Sequence, residues 1–505
     1  MSLLAVDMGS SVCKAIVFSK DGHALVQKTC SYPPTQSPHP SWAEVPAENF
    51  WRALVTVSQA ISVETSQDPV EALAISSHGE TFVAVDAQQQ ALAPAILNFD
   101  NRAVAEAGWL AETLGSRRVF EITGLAVHPM YPVAKILWLR KHNPDVFSSA
   151  ARFLAVPDYL LTRLGLPALI DYSLASRFLA FDIRRHAWSE GILSACQLSP
   201  EQLPCPVPAG SVAGQLSASV ANKLGLKTGT VVVVGGHDQP CGALGCGVFE
   251  PGRVSASLGT YECLVAASRT PALSDRAFTA NLNSYCHVVP DRYVTLAYFP
   301  SGIMLDWFLR LLYSPGELAN SASVSELCAR LEAEACPGPS GLCVTPHLLG
   351  TCNPDFNPDA TGVIAGIRPR TSRPDLYKGI IEGIACEFAS MAELLQGAAG
   401  IYRDVYISGG GSRSPLGLKL RAAMSGRELH LMHSPEAVCL GTSILAGVAT
   451  GMYGSFAEAV ERVVRVSATI VPDAAIAENY KAQMLQYRLL YSSLAPVRRA
   501  QPACN

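Results

Sequence analysis

Two aspartates in this 505-residue chain stand at the ends of apolar runs, each beside glycine. Residues 231–238, VVVVGGHD, lead four valines into Gly235, Gly236 and then Asp238. Residues 3–14, LLAVDMGSSVCK, lead into Asp7 and then Gly9-Ser10-Ser11. A continuous β-branched run reads as a strand buried on both faces, of the type found in sheets covered by helices. Glycines at its end let the backbone turn sharply. Asp238 then falls at a sheet edge, where open α/β folds place ligands, and a carboxylate there can take a proton from a substrate hydroxyl. It can equally cap a helix that starts near Gln239.

More turns of the same kind occur along the chain. CKAIVFSKDGHALVQK alternates around Lys20-Asp21-Gly22 and reads as a hairpin after the first aspartate. VSASLGTYECLVAAS (254–268) is strand–turn–strand with Gly259-Thr260 at its tip, and VYISGGGSRSPLGLKLRAAMSG (405–426) is strand, triple glycine, helix. Such turns present backbone N–H groups and hydroxyls that cradle phosphate oxygens. One alone is only a turn; three of them with two strand-end aspartates, spread over both halves, read as a nucleotide clamp.

The arrangement resembles the sugar kinase/hsp70/actin superfamily and, within it, the FGGY carbohydrate kinases. Asp7-Met8-Gly9-Ser10 is similar to the first phosphate loop, Ser257-Leu258-Gly259-Thr260 to the second, and Gly409-Gly410-Gly411 to the adenosine motif. Met130 to His142 (MYPVAKILWLRKH) fits the first family signature throughout. The second appears as Gly362 to Ile367, Asp375-Leu376 and Glu382, departing at Gly379, where the family usually has Ala or Ser. Trp42-Ala43-Glu44, Trp51 and Asp171 to Ser176 are smaller echoes.

This resemblance implies two RNase H-like (actin-like ATPase) α/β domains with the catalytic cleft between them. It implies transfer of the ATP γ-phosphoryl group to an alcohol, a reaction that needs positioning, charge neutralisation and a proton acceptor. Asp238 corresponds to the catalytic base and Asp7 to the carboxylate that holds Mg²⁺, through water because Mg²⁺ dehydrates reluctantly. ATP contacts carried over are Gly9, Ser10, Ser11, Lys14, Gly259, Thr260, Gly302, Asp306, Gly410, Gly411 and Ser414. Lys14 also reads as a solvated hairpin lysine, and Asp306 as an ordinary exposed helix residue. Trp138 and Trp307 read as packing residues.

The acceptor pocket is expected at strand ends of the first domain, from His78, Gly79, Glu80, Asp100, Asp238 and Gln239. Here the chain departs from two family patterns. Xylulose kinases carry Met-His-Gly where this chain has Gly79-Glu80-Thr81; glycerol kinases carry Arg-Glu-Thr, and the arginine is missing. Met130 stands where glycerol kinases use a tyrosine. Texture around KILWLRKHNPDVF and VPDYLLTRLG is most similar to xylulose kinases, so a pentulose is the favoured acceptor, with a deoxy-ketose, tetritol or glycerol as alternatives. An ATP-dependent switch of the actin or hsp70 type is the non-enzymatic alternative; Asp238 and the two signatures argue against it.

Length and composition agree. A chain this long exceeds one ordinary core, and 49% hydrophobic with 16% charged residues describes a well-buried globular protein. A net charge of −4 gives no reason to expect nucleic acid or an anionic membrane as partner. No apolar run reaches membrane-spanning length, and the N-terminus does not fit a secretory signal. The fifteen cysteines contain no CxxC pair; His237, Cys241 and Cys246 match no zinc spacing, so reduced, buried thiols in a cytoplasmic protein are expected. The expected division is 1–247, 248–495 and a loosely ordered tail at 496–505; a homodimer is compatible with it.

Overall fold

Short β-branched runs between glycine turns build two mixed sheets of one plan. In the computed structural model, residues 2–35, 39, 42–65, 67–318 and 321–494 are described; the tail expected at 496–505 lies outside them. Across the first sheet the strands run Val212–Gln215, Val231–His237, Val70–Ser77, Ser2–Met8, Val12–Ser19 and Ala24–Ser31. Ser2–Met8, Val70–Ser77 and Val231–His237 are parallel, and the others antiparallel to their neighbours. The second sheet runs Asn283–Cys286, Tyr293–Pro300, Tyr261–Ser268, Arg253–Leu258, Asp404–Ser408, Glu428–Met432 and Val466–Ile470. Arg253–Leu258, Asp404–Ser408 and Glu428–Met432 are its parallel strands. Each sheet thus carries an antiparallel arm on one side of its first strand and two later parallel strands on the other, the RNase H-like plan. The two halves repeat in topology what they barely repeat in residues.

The cores are less separable than the sheets. Helix Glu48–Glu64 covers one face of the first sheet through Phe50, Leu54, Val57 and Ile61. The other face, Leu3, Ala5, Ile16, Phe18 and Ala74, is covered by helices Ala437–Ala449 and Phe456–Val463 from the far end of the chain. The second sheet packs under helices Arg373–Ala399 and Pro415–Ser425, with Ala474–Ser493 outside them. Gly379, the departure in the second signature, lies where the first of these helices approaches Leu342: a Cβ there would come 2.9 Å from its Cδ1. The fourteen cysteines among the described residues are free thiols, and none of the described helices is long and apolar enough to cross a membrane.

Gly235 and Gly236 serve close approach, where their sequence pattern suggests a turn. The strand continues through them to His237, and both face Ser76 as a bulge between the pairs Val234–Ile75 and His237–Ser77. A Cβ on Gly235 would stand 2.1 Å from the Ile75 carbonyl oxygen, and one on Gly236 2.4 Å from Val288 Cγ1. A bulge bends its strand and re-aims the residues beyond it. Asp238 is the second residue beyond this one.

Candidate active site

Parallel register gathers the first lobe's candidates at one edge. Asp7 pairs with Ser76, Met8 with Ser77, and His237 also with Ser77. Asp7, the turn His78-Gly79-Glu80 and Asp238 therefore emerge together from the carboxyl ends of three adjacent strands, the ligand-binding edge of such sheets. At the matching edge of the second sheet, the strands end at Gly259-Thr260, Gly409 to Gly411 and the segment before Glu436. Lys14 Nζ reaches Glu436 Oε2 at 2.5 Å, so the two edges face each other.

Asp238 opens helix Asp238–Gly245 and is half-buried. Burial, then the nearby Asp7 and Glu80, hold its carboxyl well above the usual range; the Gln239 amide and Arg177 oppose them. Its Oδ1 lies 3.2 Å from His237 Nε2 without hydrogen-bond geometry and has no partner among the described residues. Burial, then Arg177 and His78, push His237 well below its ordinary value, which keeps the ring neutral. Its Nδ1 is 2.9 Å from Tyr285 Oη. The His237 amide donates to Ser173 Oγ at 2.9 Å, and that hydroxyl donates to Asp171 Oδ2 at 2.6 Å. The small Asp171–Ser176 echo thus braces the strand end that presents Asp238.

Asp7 is pushed up to about 6 by burial, against the pull of Lys14 and a hydrogen bond from Ser76. Asp7 and Glu80 both bear on the charge of Asp238. Asp7 belongs to no cluster of three possible metal ligands among the described residues; Mg²⁺ suits such a place, since it binds through one or two carboxylates with water and substrate phosphates completing its shell. Ser10 and Ser11 lie half-buried on the tip of the first hairpin, and Gly259 and Thr260 exposed on the tip of the second. Gly302 packs onto the second hairpin: its amide donates to the Gly259 carbonyl at 3.2 Å, and a Cβ there would clash with that oxygen at 2.4 Å. Gly409, at φ 90°, and Gly411 pack against Leu258, leaving Gly410 with open space beside it. Ser414 caps helix Pro415–Ser425 through the Gly417 amide and donates to Glu332. Asp306 is exposed and paired with Arg310 one turn on.

The acceptor candidates divide. Glu80 is buried at φ 61°, its carboxylate bound by Arg177 Nε and its carbonyl by Lys135 Nζ at 3.2 Å. Lys135, from the first signature, is fully enclosed; burial brings it down to about 7, and its Nζ also donates to the Leu97 carbonyl at 2.6 Å. Both ring nitrogens of His78 are engaged, with the Met8 carbonyl and Thr81 Oγ1, each at 2.7 Å. Asp100 has no exposed surface; it accepts from the Ala43 amide and Arg102, whose guanidinium lies 4.2 Å from the Trp42 ring centre and 4.9 Å from that of Trp138. Both oxygens of Asp100 are therefore engaged within the fold, in a network beside the Lys135 that binds the Glu80 carbonyl. Trp138 packs as expected, whereas Trp307 is 40% exposed. Sequence reasoning did not single out Arg177, Tyr285 or Glu436. They come from other elements, and a lone Arg or Glu carries no spacing signal.

Residues 2–245 match the FGGY family of carbohydrate kinases, N-terminal domain, and residues 254–450 its C-terminal domain. A xylulose kinase of Escherichia coli (strain K12) is 29% identical over 498 residues, 98% of this chain and 99% of that protein. A gluconokinase of Bacillus subtilis (strain 168) is 24% identical over 492 residues, 95% of this chain and 94% of that one. The crystal structure of a ligand-bound xylulose kinase from Lactobacillus acidophilus superposes with a TM-score of 0.88 over 98% of each chain at 20% identity, a likeness of fold.

Proposed function

The chain belongs to the FGGY family of carbohydrate kinases, and from that premise we propose that it transfers the γ-phosphoryl group of ATP to a primary hydroxyl of a small ketose, a pentulose of the xylulose type being favoured. The observation that carries the mechanism is Asp238, a carboxylate with a raised proton affinity and a buried oxygen without a hydrogen-bond partner among the described residues, at the carboxyl end of strand Val231–His237. A carboxylate whose proton affinity burial has raised suits a general base. Asp238 takes the proton of the acceptor hydroxyl as its oxygen bonds to the γ-phosphorus; the bond to the β–γ bridging oxygen breaks, and ADP leaves with that oxygen.

In this reading Gly9, Ser10, Ser11 and Lys14 hold phosphates from the first lobe, and Gly259 and Thr260 from the second. Gly302, Asp306, Gly410, Gly411 and Ser414 line the nucleotide path. Asp7 would hold Mg²⁺, which when bound neutralises phosphate charge. Glu80 and Gln239 face the acceptor, with His78 shaping the turn. Residues 1–247 and 248–495 form the two lobes, with helices Asp238–Gly245 and Ala437–Ala449 as the joint between them. ATP as donor fits a cytoplasmic location, and the proposal admits a homodimer.

The test is ADP release with Mg²⁺ against ketopentoses, deoxy-ketoses, tetritols, glycerol and gluconate, for the wild type and Asp238→Asn. A pentulose is expected to give the highest kcat/KM, and Asp238→Asn to lower kcat by about 10²–10⁴-fold while ATP still binds. Best turnover on another acceptor would reject the pentulose; near wild-type turnover in the variant would return Asp238 to helix capping.

A further inference from the structure

Where Gly79 lacks a side chain, the aliphatic stem of an arginine from another element occupies the volume. A Cβ on Gly79 would come 2.9 Å from Arg177 Cγ and 3.1 Å from His237 Nε2. Arg177 lies directly after helix Tyr172–Ser176, and its side chain is 5% exposed. Nε is spent on Glu80, and the guanidinium carbon lies 4.8 Å from the ring centre of Tyr285 and 5.3 Å from that of Tyr131. Nη1 has no hydrogen-bond partner among the described residues. A buried charged donor left unpaired is costly unless a ligand supplies the acceptor. Glu80 meanwhile holds a left-handed backbone conformation that non-glycine residues rarely adopt, as residues at binding sites often do. The pair lies close enough to Asp238 for both members to bear on its charge.

We propose that Glu80 and Arg177 together form the hydroxyl-reading subsite of the acceptor pocket, and that their charge balance selects a neutral polyhydroxyl acceptor over an aldonate. The inference rests on the sugar-kinase reading and narrows it. Arg177 offers Nη1 as donor, and Glu80 fixes the plane of the guanidinium through Nε. The pair sums to zero charge, so it binds an uncharged hydroxyl without leaving a charge over. An aldonate carboxylate entering here meets Glu80, Asp238 and Asp7 with Arg177 already neutralised. Such unrelieved like charge is how a site rejects a near-isostere. Gly79 is required in this arrangement, because any side chain there would displace Arg177 from the rings that sandwich it.

The test measures kcat and KM for the best neutral sugar, for its monodeoxy analogues and for gluconate, with melting temperatures for each variant. Arg177→Met should raise the sugar KM at least tenfold and leave the ATP KM within twofold. That factor should fall to near one for the analogue lacking the hydroxyl that Arg177 reads. The same factor for the parent sugar and every analogue would mean a purely structural arginine and overturn the proposal. Should Arg177→Met not fold, Arg177→Lys, which keeps charge without the planar fork, carries the same comparison. Glu80→Gln leaves Arg177 unbalanced and should raise the ratio of kcat/KM for gluconate over neutral sugar at least tenfold; an unchanged ratio refutes the charge balance. Wild-type turnover of gluconate without any neutral sugar would overturn this inference and leave the kinase intact, whereas no turnover of any acceptor would remove the kinase reading itself.

Discussion

A Cβ on Gly441 would stand 1.8 Å from the carbonyl oxygen of Cys241. Its counterpart on Gly245 would stand 1.9 Å from the Ala437 carbonyl, so the two helices cross backbone on backbone. One of them begins with Asp238; the other follows directly on Glu436, the partner of Lys14. The contact therefore ties the candidate base to the far end of the chain.

Gly441→Ala should overpack this crossing and destabilise the protein by about 1–3 kcal/mol. The helices can relieve the clash only by moving apart, which moves Asp238, so kcat should fall more than for an equally destabilising core substitution away from the cleft. Urea unfolding and steady-state kinetics on both variants make the comparison. Lost stability with unchanged kcat would reduce the crossing to an ordinary core contact.

Asp7 predicts a pH signature with a definite sign. Its folded value is about 6 against an ordinary 3.8, so the folded state binds the extra proton between those values. The stability it contributes is present below the unfolded value and is lost as pH rises through about 6. Above that, Asp7→Asn removes an unfavourable buried charge and should stabilise the apoprotein by roughly 1–3 kcal/mol at pH 8, while abolishing Mg²⁺-dependent turnover. Wild-type kcat/KM should fall as pH drops below about 6. Raising Mg²⁺ should move that midpoint down, because a bound cation favours the carboxylate. A melting curve at pH 8 that is lower for the variant would reverse the assignment.

Lys14 is paired with Glu436. Both side chains are about a third exposed, so the pair itself contributes little to stability. Glu436→Gln should therefore leave the melting temperature nearly unchanged and lower the ATP KM, by freeing the lysine and removing a carboxylate near the phosphate path. Lys14→Met should raise the ATP KM with little effect on the sugar KM. An increased ATP KM in Glu436→Gln would show that the glutamate helps to bind nucleotide.

Legibility from residues alone tracks the range of the interaction. The strand-end aspartates, the glycine hairpins and the signature helix Pro132–His142 are local patterns, and each forms the expected element. The bulge at Gly235-Gly236 was not legible, because its cause is the Ile75 carbonyl on a strand about 160 residues away. Arg177, whose guanidinium meets Glu80 from another element, was not legible either, because position 177 carries no spacing signal toward position 80. Spacing likewise does not reveal that Arg102 and the Ala43 amide engage both oxygens of Asp100. The return of helix Ala437–Ala449 to the first sheet is likewise a tertiary fact without a local signal.

Ser173 makes the sharpest separation between holding the site and doing its chemistry. Its hydroxyl gives its proton to Asp171 and accepts the His237 amide, one residue before Asp238. Ser173 is fully buried and touches neither sheet-edge carboxylate in the hydrogen-bond network. Ser173→Ala leaves a buried backbone N–H without its acceptor, at a cost of about 1–3 kcal/mol. It also releases Asp171, a carboxyl that burial raises to about 6 and that the Ser173 hydroxyl and amide pull down. The strand end should then relax around its glycine bulge and turn Asp238 away from the acceptor. We expect kcat to drop tenfold or more with both KM values within about threefold, since a group acting only on orientation of the base changes the transition state more than ground-state binding. Ser173→Thr keeps the hydroxyl and should recover most of kcat at wild-type KM. If Ser173→Ala loses stability yet keeps kcat, the brace is structural only, and the aim of Asp238 is set by the bulge and the helix crossing.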